Sequence, residues 1–410
     1  MPSKKALSLT ATAAAIALGL TACGGDTGGG GGEGEPLQYG YILPETGDLS
    51  HLGPPQISAA QYALSEINTA GGVLETELPD FLAGDEANDA AQANDAANRL
   101  VDQDADIIIG AAASGMTQAV MDTVTGAEVV QCSGSNTAPG LAEEDESGYY
   151  WRTAPSDNMQ GPVLAEKIAG DGHQSVAITY RADDYGEGLA NAAATALEEN
   201  GIEVVYQEGY DPNSSNFDSV VGEISGAEAD AVVLVSFEEG VQIITGLIEG
   251  GVEAAQMYGT DGLNDETLAE KVDAENPGAI EGFQGTAPDT GDEGFVGDLT
   301  AFDEDLEVLQ FAGQVFDCTI ITALAAEQAG STEPSEFVNE IEAVSKDGTE
   351  CSTFAECRDL IAEGEDIDYQ GVSGPIDFNS EGDVTSATFQ IYGYDAEGVH
   401  SKQDAITVTE

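Results

Sequence analysis

Residues 175–207 read SVAITYRADDYGEGLANAAATALEENGIEVVYQ. The opening SVAITY is short, mostly apolar and rich in β-formers, which predicts a strand covered on both faces. An Ala-rich helix over 185–200 follows, stopped at Gly201, and IEVVYQ (202–207) supplies a second strand. Strand, helix and strand in so short a span form a βαβ unit, and parallel strands need such crossovers. The pattern runs on with a helix at 215–226, the strand AVVLVS (231–236), a helix at 239–250 and the strand QMYGT (256–260).

An equivalent series precedes it. LQYGYIL (37–43) reads as a strand, followed by ISAAQYALSEINTAGG, a helix with Ile57, Ala60, Leu64 and Ile67 on one face and Gly71-Gly72 at its end. An Ala-rich helix at 87–103 carries Leu100 and Val101. Ile107-Ile108-Ile109 runs into Gly110, then a loop at 111–116, a helix from about Thr117, and the strand VVQCS (129–133). Two series predict two doubly wound α/β domains. The remainder is less regular: 280–288 is extended, 312–329 and 335–345 are helical, and 373–409 is β-rich with turns at 380–382 and 395–398. No internal sequence repeat is visible.

The N-terminus bears on compartment. Lys4 and Lys5 precede an apolar run over 6–20 that is too short to span a bilayer, and Leu20-Thr21-Ala22-Cys23 follows. Cys23 thus sits where a bacterial lipobox places its acylated residue, behind a signal peptide at 1–22. A Gly-rich tether at 23–36 would hold a folded body off the membrane. A simple export signal with an incidental Cys is the alternative. Cys132, Cys318, Cys351 and Cys357 remain, and four cysteines allow three pairings. Because Cys351 and Cys357 flank a short polar loop, STFAE, they are expected to pair, leaving Cys132 with Cys318. Oxidising surroundings and only three His argue against a zinc site.

Ten Lys and Arg stand against 77 Asp and Glu, a formal net charge of -67. Such a chain repels phosphates, which excludes nucleic acid as a partner. The acids are dispersed rather than spaced as metal ligands, so the charge reads as adaptation to high salt, where screening shortens to about 3 Å at 1 M, or as a generic acidic surface. No G-x-S-x-G, HExxH or P-loop pattern occurs, which argues against an enzyme, and no metal or cofactor motif is present.

Four loops, each after a strand, carry the candidate chemistry. Residues 110–118 (GAAASGMTQ) turn into a helix, and free N–H groups there, with Ser114 or Thr117, suit a carboxylate; an ordinary helix cap is the alternative. SGSNTAP (133–139), DDYGEG (183–188) and GTDG (259–262) offer hydroxyls, an aromatic and an acid, and each could equally be a structural turn.

In order and spacing these segments resemble the branched-chain amino-acid-binding family of type I periplasmic binding proteins. The likeness rests on INTAGG at the end of the first helix, SNTAPGL (135–141), WRTAPSDNMQG (151–161), DDYGEGLA (183–190) and TDG (260–262), and covers about residues 37–395. It implies a Venus-flytrap fold with crossovers near 153–157, 284–289 and 371–375, hence one lobe from 37–155 plus 286–372 and another from 156–285 plus 373–410. It also implies roles: Ser114 and Thr137 on the ligand α-carboxylate, the Ser135 carbonyl and Asp261 on the α-ammonium, Tyr185 closing from the second lobe, Phe237 where relatives often carry Tyr, and Leu52 near the ligand side chain. Phe237 lacks a hydroxyl, and Asp261 is a methylene shorter than the Glu of several relatives.

The expected function is delivery of a small, apolar or branched-chain amino acid to an ABC permease, by a lipid-anchored monomer on the outer face of the membrane. The alternatives are a receptor for a short amide or urea and a sensory or adhesion module of the same fold.

Overall fold

The computed structural model describes residues 35–145 and 147–409. The signal peptide, Cys23 and nearly all of the tether lie outside the described residues. Among the described residues no helix is long and apolar enough to cross a membrane.

Five short parallel strands form the first sheet: β1 (Tyr39–Leu43), β2 (Leu82–Asp85), β3 (Ile107–Gly110), β4 (Val130–Ser133) and β5 (Tyr150–Arg152), in the order β2-β1-β3-β4-β5. β1, β3 and β4 are buried along their whole length, as strands sandwiched between helices must be. The second sheet begins with β6 (Ser175–Arg181), β7 (Glu203–Tyr210), β8 (Ala231–Val235), β9 (Met257–Gly259) and β10 (Gln284–Pro288). A small sheet of β11 (Thr349–Cys351), β12 (Ile367–Gly371) and β13 (Gly374–Pro375) follows. The chain then returns to the second sheet as β14 (Ser386–Tyr394) and β15 (His400–Thr409), which completes the order β15-β14-β10-β9-β8-β6-β7. β14 and β15 pair antiparallel on an otherwise parallel sheet.

Read from their edges, β2-β1-β3-β4-β5 and β7-β6-β8-β9-β10 are the same topology used twice. In each, the order reverses beside the first strand of its series, and in open α/β sheets ligands gather beyond the carboxyl ends of strands at that reversal. The loops after β1, β3 and β4 therefore meet those after β6, β8 and β9.

Three passages join the lobes. One runs from Arg152 to the helix Asp157–Gly170, which packs on the helix Asp184–Glu199. Another follows Pro288, after which Phe295 and Leu299 bury in the first core. The third falls later than the expected 371–375: Ile376, Phe378 and Val384 still bury in the first core, because the small sheet holds them there, and the chain enters the second sheet at Ser386. Residues 286–288, expected in the first lobe, pair with β14 in the second sheet.

Several local expectations shift. The helix expected from Thr117 begins at Ser114. The helix Asp157–Gly170 was not anticipated, since Pro162 inside it masks the pattern. The stretch 335–345 breaks into a helical turn at Pro334–Phe337 and a 3-10 turn at Val338–Glu340, and Ser345 Oγ bonds both the Glu342 carbonyl and the Phe378 N–H. STFAE is not a loop: Thr353 caps a helix at Phe354–Glu363.

Cys132 on β4 is bonded to Cys318 on the helix Ala312–Ala329, and Cys351 to Cys357. The first bridge spans 186 residues. Closing so long a loop removes unfolded-chain entropy worth about 5 kcal/mol.

Candidate functional site

Between the two lobes lies a narrow cleft. Leu52, Ser114, Ser135, Thr137, Tyr185, Phe237 and Asp261 all line it, together with Leu49, Ala112, Ala113, Gly262 and Phe311. Leu52, Tyr185, Phe237, Phe311 and Ala113 belong to one apolar cluster that spans both lobes, so the cleft is shut. Tight backbone approaches hold it: a Cβ on Gly188 would lie 2.6 Å from Pro139 Cδ of the opposite lobe.

On the first lobe, Ser114 opens its helix, and its Oγ accepts from the N–H groups of Thr137 (3.4 Å) and Ala138 (3.2 Å). With both lone pairs engaged, the hydroxyl proton is left to donate toward the cleft. Ser135 Oγ instead donates to Gln56 Oε1 at 2.9 Å, so its proton is not free for a ligand carboxylate.

The expectation of free N–H groups before this helix needs correction. Ala112 N–H (2.7 Å) and Ala113 N–H (3.2 Å) both donate to Glu86, a fully buried carboxyl that burial pushes up to about 8. Glu86 therefore takes two of the donors that the sequence offered to a ligand. Thr117 is also structural, donating to the Ala111 carbonyl at 3.0 Å and accepting from Asn136 at 2.7 Å. Gln118 is turned to Glu144.

The second lobe supplies charge. Asp261, at the turn after β9, accepts at Oδ1 from the Tyr185 hydroxyl (2.8 Å) and from Gln160 Nε2 (3.1 Å). Burial raises its carboxyl to about 6, against the pull of those two donors. Tyr185 stacks on Phe237 with ring centroids 5.1 Å apart and planes 15° apart. Gln310 Nε2 donates to the Asp261 carbonyl at 2.8 Å.

Asp157 is the residue that sequence reasoning missed. It is fully buried in the first turn of its helix, and neither carboxylate oxygen has a hydrogen-bond partner. Burial, and then the negative charge of Asp261, hold its carboxyl well above the usual range; Thr137 and Arg152 oppose this more weakly. A buried carboxyl without a full set of partners is costly to ionise, so it keeps its proton unless a cation completes it. The only sequence signal was Asp157 inside WRTAPSDNMQG, one acid among 77. Phe311 was missed too, because the helix that follows it draws attention past its left-handed backbone (φ 63°).

No Lys or Arg lines the cleft. The hydroxyls of Ser114 and Thr137 suit an anion, the Asp261 carboxyl suits a cation, and Leu49, Leu52, Phe237 and Phe311 enclose an apolar body. Among the described residues no cluster of His, Cys, Asp or Glu is arranged to hold a metal ion.

Comparison with known proteins follows from this geometry. A family model described as periplasmic binding protein matches residues 36–398. The leucine-, isoleucine-, valine-, threonine- and alanine-binding protein of Pseudomonas aeruginosa is 24% identical over 368 residues, covering 88% of this chain and 90% of its own length. The Leu/Ile/Val-binding protein of Escherichia coli K12 is 26% identical over 360 residues, 86% of this chain and 89% of its own. Among solved structures, the branched-chain amino acid transporter substrate binding protein LivJ from Streptococcus pneumoniae, in complex with isoleucine, superposes with a TM-score of 0.74 at 21% identity. It covers 92% of this chain and 100% of its own. A solute binding protein from R. palustris in complex with 4-hydroxybenzoate fits equally, at 0.74 and 16% identity over 92% and 98%. These relatives are binding proteins rather than enzymes. With two type I sheets, a cleft between them and a family match over nearly the whole folded body, the chain belongs to the periplasmic binding protein family.

Proposed function

We propose that this protein captures a small zwitterionic amino acid with an apolar, branched side chain and delivers it to an ABC permease. The observation that carries this reading is Asp261: a buried carboxyl on the cleft wall, in the same cleft as the Ser114 and Thr137 hydroxyls, suits a ligand that brings both a cation and an anion. That favours an α-amino acid over the aromatic acid held by the R. palustris protein, and over an uncharged amide or urea. The ligand carboxylate meets the hydroxyls of Ser114 and Thr137, its ammonium meets Asp261 and the Ser135 carbonyl, and its side chain lies among Leu49, Leu52, Phe237 and Phe311. Only the shut cleft offers both sets of contacts, so binding favours closure.

Around that core, Cys23 carries lipid that holds a monomer at the outer face of the membrane, each lobe follows the division given above with the second passage moved past Pro288 and the third to Val384, and the acidic surface serves a high-salt habitat. Titration calorimetry against isoleucine, valine, alanine, 4-hydroxybenzoate and acetamide tests the reading. Isoleucine or valine should bind and lose affinity in Asp261→Asn. Binding of the aromatic acid or the amide alone would overturn it.

A further inference from the structure

We propose that Arg181 is a positioning residue that fixes the Phe237 ring and thereby sets which ligand side chains the cleft accepts. The choice of ligands in its test rests on the amino-acid reading above. Arg181 ends β6, and Phe237 follows β8, the strand paired beside it. The guanidinium carbon stands 3.6 Å from the centroid of the Phe237 ring. At that distance the cation lies against the ring face and gains from its quadrupole, more so because the pair is shielded from water.

The arginine is itself held. Only 2% of it is exposed, so its charge needs partners, and it has two: Nε donates to Asp183 Oδ2 at 2.5 Å and Nη1 to Glu239 Oε1 at 3.0 Å. Both partners lead back to the aromatic wall. Asp183 uses its other oxygen to cap the helix that carries Tyr185, accepting from Gly186 N–H at 2.9 Å. Glu239 Oε1 also accepts from the Phe237 N–H at 3.4 Å and the Tyr210 hydroxyl at 3.0 Å. One guanidinium thus ties together the two segments whose rings stack in the cleft.

The remaining side of the ring is closed by the turn that holds Asp261: a Cβ on Gly262 would stand 2.7 Å from Phe237 Cδ1. A phenylalanine has no hydroxyl with which to anchor itself, so its orientation depends on what packs against it. Arg181 is not among the residues lining the cleft, so it acts on the ligand through Phe237. Lysine would keep the charge but lose the plane and the forked donors.

The test measures Phe237 ring flipping by NMR on protein with 13C-labelled phenylalanine, and the isoleucine-to-alanine ratio of Kd, in the wild type, R181K and R181M. In R181M the ring should flip at least tenfold faster and the ratio change fivefold or more, with R181K between. An unchanged flip rate, with both ligands weakened by one common factor, would reduce Arg181 to a structural residue and overturn the proposal. If R181M does not fold, R181K decides by the same two criteria. If the wild type binds neither amino acid, the functional reading fails and the ring flip alone decides.

Discussion

The two lobes share a strand order but not a chemistry. After β3 and β4 the first lobe presents Ser114, Ser135 and Thr137; after β8 and β9, the equivalent strands, the second presents Phe237 and Asp261. After β1 comes Leu52, and after β6 comes Tyr185. One lobe offers neutral hydroxyls and aliphatic groups, while the other offers a carboxyl and aromatic rings. A topology fixes where loops meet, not what they carry. A zwitterion bridging the halves must orient itself, because its two charges find complementary partners on different lobes only one way round.

Breaking the charged lobe should cost most. Asp261→Ala removes the partner of a desolvated ammonium and unseats Tyr185 and Gln160, so affinity should fall by about 2–5 kcal/mol, measured by calorimetry. Ser114→Ala, on the neutral lobe, should cost less, about 1.5–3 kcal/mol for a hydrogen bond to a charged group. Equal losses from the two substitutions would contradict the division between the lobes.

Within the cleft, acidity acts through Asp261. Because burial raises the Asp261 carboxyl to about 6, the free cleft takes up a proton as pH falls through that value, whereas the ammonium binds the ionised form. Affinity should therefore drop about tenfold between pH 7 and pH 5 and flatten in Asp261→Asn, as read by calorimetry across pH. A flat wild-type profile would mean that the carboxylates do not meet the ligand's cation.

The smallest effects belong behind the first lobe. Glu86 is raised from 4.5 to about 8, so the folded state holds a proton that the unfolded chain has released. Its contribution is present below about 4.5 and is lost as pH rises toward 8. Glu86→Gln should flatten that decline in urea-denaturation midpoints while leaving ligand affinity within about threefold. A large loss of affinity would show that Glu86 does more than hold the loop at Ala112 and Ala113.

Much of the fold could be read locally, because short apolar strands and Ala-rich helices write their periodicity into neighbouring residues. SVAITY and AVVLVS are strands at positions 175–181 and 231–235, within a residue of expectation. The loops after those strands were legible for the same reason, and their named residues do meet in one cleft. Boundaries were poorer where a Pro inside a helix or a side-chain bond across the lobe overrode local preference, as at Pro162 and Ser345.

What the sequence determined by itself was the alternation of elements and the excess of acid, both properties of neighbouring residues or of simple counts. Tertiary structure alone decided that Asp157 has no partner, that Glu86 occupies the N–H groups of Ala112 and Ala113, and that Arg181 lies on Phe237. Each depends on groups far apart in the chain, from 26 residues between Glu86 and Ala112 upward. An Asp earns a role only from what surrounds it, and burial and missing partners exist only once the lobes have closed around it.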